Sequence, residues 1–199
     1  MAASFENLTP GAPGFDAAVG QVAELRIRIF REWPYLYDGT EDWERRYISK
    51  LAEAEGAVVI AARDGARIIG VSTGMPLLSE HDELIAPFRG SAFPPEQVFY
   101  GAETVMLPEY RGQGLYRGFL DRRREHAIRL GGFRWETFCG VVRPADHPLR
   151  DPAIPPLDPV WQHFGFRKVE GLTTGFSWKD IDEESESEKP MQFWVRDLA

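Results

Sequence analysis

Arg111-Gly-Gln-Gly114 sets two glycines two positions apart, after a strand-like run that Pro108 stops and before a helical pattern. Glycine lets the main chain approach a ligand closely and turn several N–H groups toward one point. At a helix start those N–H groups lack intrahelical partners, and the helix dipole adds positive potential. Such a turn suits a pyrophosphate. Two better-known phosphate motifs are excluded. The lysine and hydroxyl residue of a nucleoside-triphosphatase loop are missing, and so is the three-glycine dinucleotide fingerprint. Two glycines alone favour an ordinary strand-to-helix turn over a ligand site.

Other reactive residue types narrow the chemistry further. Cys139 lies mid-strand in Trp135-Glu-Thr-Phe-Cys-Gly-Val, where a buried inert thiol is the commoner case than a nucleophile. As the only cysteine it excludes an internal disulfide and fits a reducing, cytoplasmic setting. His81, His126, His147 and His163 have no metal-ligand spacing with a cysteine or one another, so no metal is expected. A formal charge of −8 argues against nucleic acid as a partner. Residues 110–134 nevertheless hold seven arginines against Asp121 and Glu125, a local +5 that suits a small polyanion. Arg122, Arg123 and Arg124 within it read as the solvated face of a helix. No basic start followed by an apolar run opens the chain, and no apolar stretch is long enough to span a bilayer, so neither secretion nor a membrane is expected.

These groups need elements to position them. Phe15, Ala18, Val19, Val22, Leu25 and Ile29 recur at helical spacing and predict a helix over 15–30, ended by Pro34. A second helix is expected over 42–54. An aromatic-rich loop, residues 32–40, lies between them. Strands over 57–63 and 67–77 flank the hairpin signal Asp64-Gly65. A longer strand is expected over 98–107, with Gly101 marking a bulge or a close approach. A helix over 114–130 stops at Gly131-Gly132, and a strand over 135–142 follows. Beyond a proline-rich connection, a short helix over 160–164 and strands over 167–170, 174–178 and 191–195 close the chain. The acidic stretch 180–188 reads as a solvated loop. Strand, helix, strand from 98 to 142 implies a parallel pair with a crossover helix. The length and 43% hydrophobic content suit one α/β domain over residues 1–199, a mixed sheet flanked by helices.

Pro108-Glu-Tyr-Arg-Gly-Gln-Gly114 resembles the coenzyme A pyrophosphate loop of the GCN5-related N-acetyltransferase (GNAT) superfamily, and the element order fits that fold along nearly the whole chain. Phe164-Gly-Phe166 resembles the family's terminal Gly-Phe motif. Trp33-Pro-Tyr-Leu-Tyr-Asp-Gly39, Phe138-Cys-Gly-Val-Val-Arg-Pro144, His147-Pro148 and Met191-Gln-Phe-Trp194 look like a bacterial subgroup with an unidentified acceptor. The resemblance implies a mostly antiparallel sheet with a splayed parallel pair. It also implies transfer of an acetyl group from acetyl-CoA to a primary amine of a small molecule. The alternatives are a protein terminus or lysine as acceptor, and a sensor that binds acyl-CoA without turnover. The oligomeric state is not legible, and a homodimer is compatible with the fold.

Carried onto this chain, the resemblance assigns the pyrophosphate to the turn formed by Arg111, Gly112, Gln113, Gly114, Leu115 and Tyr116. Met106 and Leu107 end the strand that would pair with the pantetheine arm, and an N–H near Met106 would hold the thioester oxyanion. Tyr116 stands where the family loop has glycine or alanine. Trp161 stands where a tyrosine often serves as general acid, and an indole N–H is no acid at neutral pH. A thiol leaves well without one, its pKa being roughly 8.5. An acceptor amine must lose a proton before it attacks, and Glu103 is the candidate base, expected among apolar neighbours that raise its pKa. The competing reading is a glutamate paired with an arginine. Tyr35, Tyr37 and Asp38 would wall the acceptor site and grip a cationic amine. His147 and Trp161 complete that expected set. For Tyr35 and His163 a purely structural role is equally compatible.

Overall fold

The computed structural model describes residues 3–198. Met1, Ala2 and Ala199, at the ends of the expected domain, lie outside the described residues. The chain begins with strand β1 (Ser4–Leu8), followed by helices α1 (Phe15–Phe30) and α2 (Glu41–Glu53). Phe15, Ala18, Val22 and Leu25 bury the stripe that the sequence spacing predicts for α1. Thr40 caps α2, its Oγ1 accepting from the Trp43 N–H at 3.4 Å, while Glu41, Asp42 and Glu44 oppose the dipole of the first turn. Strands β2 (Val58–Asp64) and β3 (Arg67–Pro76) form the expected hairpin, with Gly65 at φ 58° in its turn. Residues 58–62 are buried without alternation, so this part of the sheet is covered on both faces.

After a short helix α3 (Asp82–Ile85) come β4 (Val98–Tyr100), β5 (Thr104–Met106), helix α4 (Leu115–Leu130), β6 (Trp135–Val141), α5 (Asp158–His163), β7 (Arg167–Trp178) and β8 (Ser187–Asp197). The strands join one sheet in the order β1-β2-β3-β4-β6-β8-β7, with β5 paired to β3 off that path. Only β4 and β6 run parallel; the other pairs are antiparallel. The fold is the mixed α/β architecture that the sequence implies, a mostly antiparallel sheet with one parallel pair and flanking helices.

Four expectations change. The single strand over 98–107 is two strands, broken at residues 101–103. The break has a packing cause. The Arg123 guanidinium lies against Gly101 where any side chain would have to stand. Arg123 is therefore not on a solvated face; it is buried with 2% of its surface exposed. Strands 167–170 and 174–178 are one strand, β7, carrying a bulge between Lys168 and Thr173. Residues 180–188 are not uniformly solvated. Asp180 is buried in a double ion pair with Arg143, and β8 already starts at Ser187. Strand β1 escapes the sequence reading because only Leu8 of its five residues is buried, which leaves no alternation to detect.

Candidate active site

The broken strand creates a fork. Tyr100 pairs with Thr137 on β6, and the Gly101 N–H donates to the Thr137 carbonyl at 2.8 Å. Past that point β5 pairs with β3 alone, and residues 138–141 of β6 pair with β8 alone. The Leu107 N–H donates to the Ile69 carbonyl at 2.9 Å. By strand alternation the Met106 and Thr104 N–H groups then point away from β3, into the fork. A groove of about 760 Å³ fills the fork, walled by residues 101–106 on one side and 138–145 on the other. Two unpaired strand edges facing each other are what an amide-rich extended ligand pairs with.

At one end of the groove lies the glycine turn. Gly112 (φ 75°) and Gly114 (φ 80°) adopt left-handed backbone, with open space where each Cβ would be. The side-chain amide of Gln113 donates to the Glu109 carbonyl at 3.0 Å and ties the turn together. Gly114 caps α4 without any side-chain bond, so the first N–H groups of a 16-residue helix are left for a ligand. Arg111, Gly112 and Tyr116 reach the groove wall. The Tyr116 ring packs on Phe164, 5.4 Å between centroids. Leu115 points into the core, so only its backbone faces the turn. These residues fit a diphosphate, the charged middle of coenzyme A.

No family model matches the sequence, and no curated protein matches it at a significant level. Solved structures do match in shape. A Desulfovibrio desulfuricans structure assigned to the GNAT family covers all of both chains at 13% identity, TM-score 0.58. Arabidopsis thaliana NAA60, bound to acetyl-CoA, matches at 13% identity over 98% of each chain, TM-score 0.60. The Escherichia coli ribosomal-protein-S18-alanine N-acetyltransferase matches at 9% identity over 100% of this chain and 95% of its own, TM-score 0.61. The fold is that of the GNAT superfamily.

Within that GNAT fold, a smaller chamber of about 90 Å³ branches from the groove. Phe30, Tyr35, Ala102 and Cys139 line both spaces. The rest of the chamber wall is mostly aromatic, including Tyr37, Trp43, Tyr47 and Trp178, together with Arg26, Ser177 and Met191. Burial raises the Tyr35 and Tyr37 hydroxyl pKa values, so both stay protonated. Burial likewise pushes the Cys139 thiol up to about 12. Its sulfur sits 3.4 Å from the Tyr100 hydroxyl, as an inert buried thiol.

Glu103 lines the groove, but its immediate partners are polar rather than apolar. Its carboxylate pairs with Arg26 and accepts from the Thr73 hydroxyl. Arg26 also pairs with Glu44 at 2.6 Å and lies over the Tyr47 ring at 4.3 Å. The reading of Glu103 as an arginine-paired glutamate thus describes its contacts. On the groove's other flank, Glu136 is held between Arg123 at 2.6 Å and Arg196 at 2.6 Å. Arg123 also donates to Ser72 at 2.9 Å and Thr104 at 3.1 Å, joining β3, β5 and β6 around the fork.

Three expected contacts are not brought to the acceptor side. Asp38 pairs with Arg31 and Lys179, both at 2.7 Å, which lower its pKa, and it lines neither space. His147 packs beside Trp33, 5.4 Å between ring centroids; Trp33 lines the groove and His147 does not. Trp161 does line the groove, but as part of an aromatic layer with Phe138 and Trp194, pressed against Gly140. Leu107 is buried in the core and lines no space.

Four residues of the site escape the sequence reading. Arg26 lies four residues from both Val22 and Phe30, and Arg123 lies four from both Phe119 and Ala127. A cation on an apolar stripe is the signal that finds both. Arg143 donates to the Pro34 and Tyr35 carbonyls at 2.8 and 2.6 Å, fastening the aromatic loop over the chamber. Glu80 is buried beside the Arg26 cluster, and burial pushes its pKa up to about 7. No local pattern in the sequence marks it.

Proposed function

We propose that the protein transfers an acetyl group from acetyl-CoA to the primary amine of a small molecule. The observation that carries this reading is the fork: two unpaired strand edges with a helix-capping glycine turn at one end. Acetyl-CoA supplies an activated acyl thioester. Backbone N–H groups of residues 112–116 hold its diphosphate, and the Thr104 and Met106 edge aligns its amide arm. The Met106 N–H faces the thioester oxygen, where negative charge develops. Glu103, paired with Arg26, receives the ammonium proton directly or through a water. Trp161 donates no proton, and the thiol leaves unaided.

The small chamber of about 90 Å³ and its aromatic walls support a small acceptor. One of the structural neighbours acts on a protein by its name, and a protein acceptor is the alternative reading. Calorimetric titration with coenzyme A tests the turn. Gly114→Trp is expected to weaken binding by about 100-fold, since its side chain fills the phosphate approach. Gly114→Asn, which tolerates left-handed backbone, retains it. Equal affinity in both variants and the parent would remove the turn from the site. Thiol release across a panel of amines separates an enzyme from a sensor, which would bind acetyl-CoA without turnover.

A further inference from the structure

We infer that the acceptor is a small primary monoamine with a compact alkyl group and no carboxylate: its nitrogen meets Glu103 at the fork, and its alkyl group enters the aromatic chamber. This rests on the acyl-transfer reading above. Charge, polarity and size carry it, each from a different observation.

Charge comes first. Arg26, Glu44 and Glu103 are all buried, and one arginine against two glutamates leaves a formal −1. Among the described residues no second cation pairs with either carboxylate; the Thr73 and Tyr37 hydroxyls, both neutral, meet Glu103 and Glu44. A buried charge of this kind is stabilised by a cation and opposed by a second carboxylate. An ammonium group at the fork is drawn to that surplus, reaching Glu103 directly or through a water. The carboxylate of an amino acid would sit within reach of the same negative cluster.

Polarity and size define the rest of the molecule. Among the described residues Arg26 is the only charged one of the chamber wall, and its guanidinium is already committed to Glu44 and Glu103. A second ammonium would find rings, Ser177 and Met191 there but no carboxylate, so a diamine loses its far charge's hydration without a counter-charge in return. The chamber's 90 Å³ is well below the roughly 150 Å³ of a cavity that holds benzene, which favours a short or branched alkyl group over an aryl ring.

The reaction balances without a further reagent. The amine nitrogen bonds to the acyl carbon as the carbon–sulfur bond breaks, and sulfur leaves with the bonding pair. Of the three ammonium protons, one passes to Glu103, one ends on the sulfur and one stays on the amide nitrogen. Glu103 returns its proton to solvent.

Thiol release from acetyl-CoA is measured with isoamylamine, free leucine, phenethylamine and putrescine. Isoamylamine and leucine share the alkyl group and differ in the carboxylate. Expected kcat/KM is about 100-fold higher for isoamylamine than for leucine, and about tenfold higher than for phenethylamine or putrescine. Phe176→Ala, which removes a half-buried chamber wall, is expected to shift the phenethylamine to isoamylamine ratio about tenfold toward the larger amine. Leucine or putrescine turned over as well as isoamylamine would overturn the acceptor class and leave acyl transfer standing. Binding of acetyl-CoA with no thiol release for any amine or peptide would overturn the transfer reading itself.

Discussion

Two buried ion clusters flank the fork, and they are mirror images in charge. On the chamber side one arginine, Arg26, is shared by two glutamates, Glu44 and Glu103. On the α4 side one glutamate, Glu136, is shared by two arginines, Arg123 and Arg196. The positive cluster is saturated: its arginines also donate to Ser72, Thr104 and the Leu120 and Phe164 carbonyls. The negative cluster is met by two neutral hydroxyls, those of Thr73 and Tyr37. The positive cluster braces the strands around the fork and is architecture. The negative one borders both spaces, Arg26 the chamber and Glu103 the groove, where we propose that a cationic acceptor binds.

The difference predicts unequal responses to loss of a carboxylate. Glu136→Gln removes the shared centre and leaves two buried guanidinium groups without a counter-charge; unfolding in urea is expected to show a loss of about 3–5 kcal/mol. Glu103→Gln removes a peripheral member and leaves Arg26 balanced by Glu44. Its stability is expected to change by less than about 1 kcal/mol, while kcat falls about 10- to 100-fold with little change in coenzyme A affinity. A rate equal to the parent across pH would take the base away from Glu103. A third effect concerns Glu80, beside the negative cluster. Its pKa is raised from 4.5 to about 7 in the folded protein. The folded state therefore binds a proton that the unfolded state has lost, so stability falls as pH rises from about 4.5 to about 7 and is level above it. Glu80→Gln is expected to flatten that slope and to gain on the order of 2 kcal/mol at pH 8, read from urea midpoints at several pH values.

Much of this arrangement could be read from the chain before any coordinates. The stripe of α1, the hairpin after Asp64, the glycine turn and the crossover helix all depend on local spacing, and their bounds fall within a residue or two. What spacing cannot show is which polar groups meet across the sheet. Asp38 lies in the right loop but is captured by Lys179, which is 141 positions away. Glu103 lies in the break of the expected strand, and its environment is set by Arg26 from the first helix. His147 shares a proline-rich segment with groove residues, yet it packs beside Trp33 and does not itself line the groove. Arg123 was legible only as one of three adjacent arginines, whereas its place on the stripe with Phe119 and Ala127 separates it from the other two.

Gly101 turns this packing into a rule about the opening itself. The guanidinium of Arg123 rests where a methyl group would otherwise be, and from there it reaches β3, β5 and β6 together. An alanine would have to evict that side chain, and with it the prop that keeps the two edges apart. The cleft's mouth is thus written into the chain as an omission, the one carbon that position 101 does without.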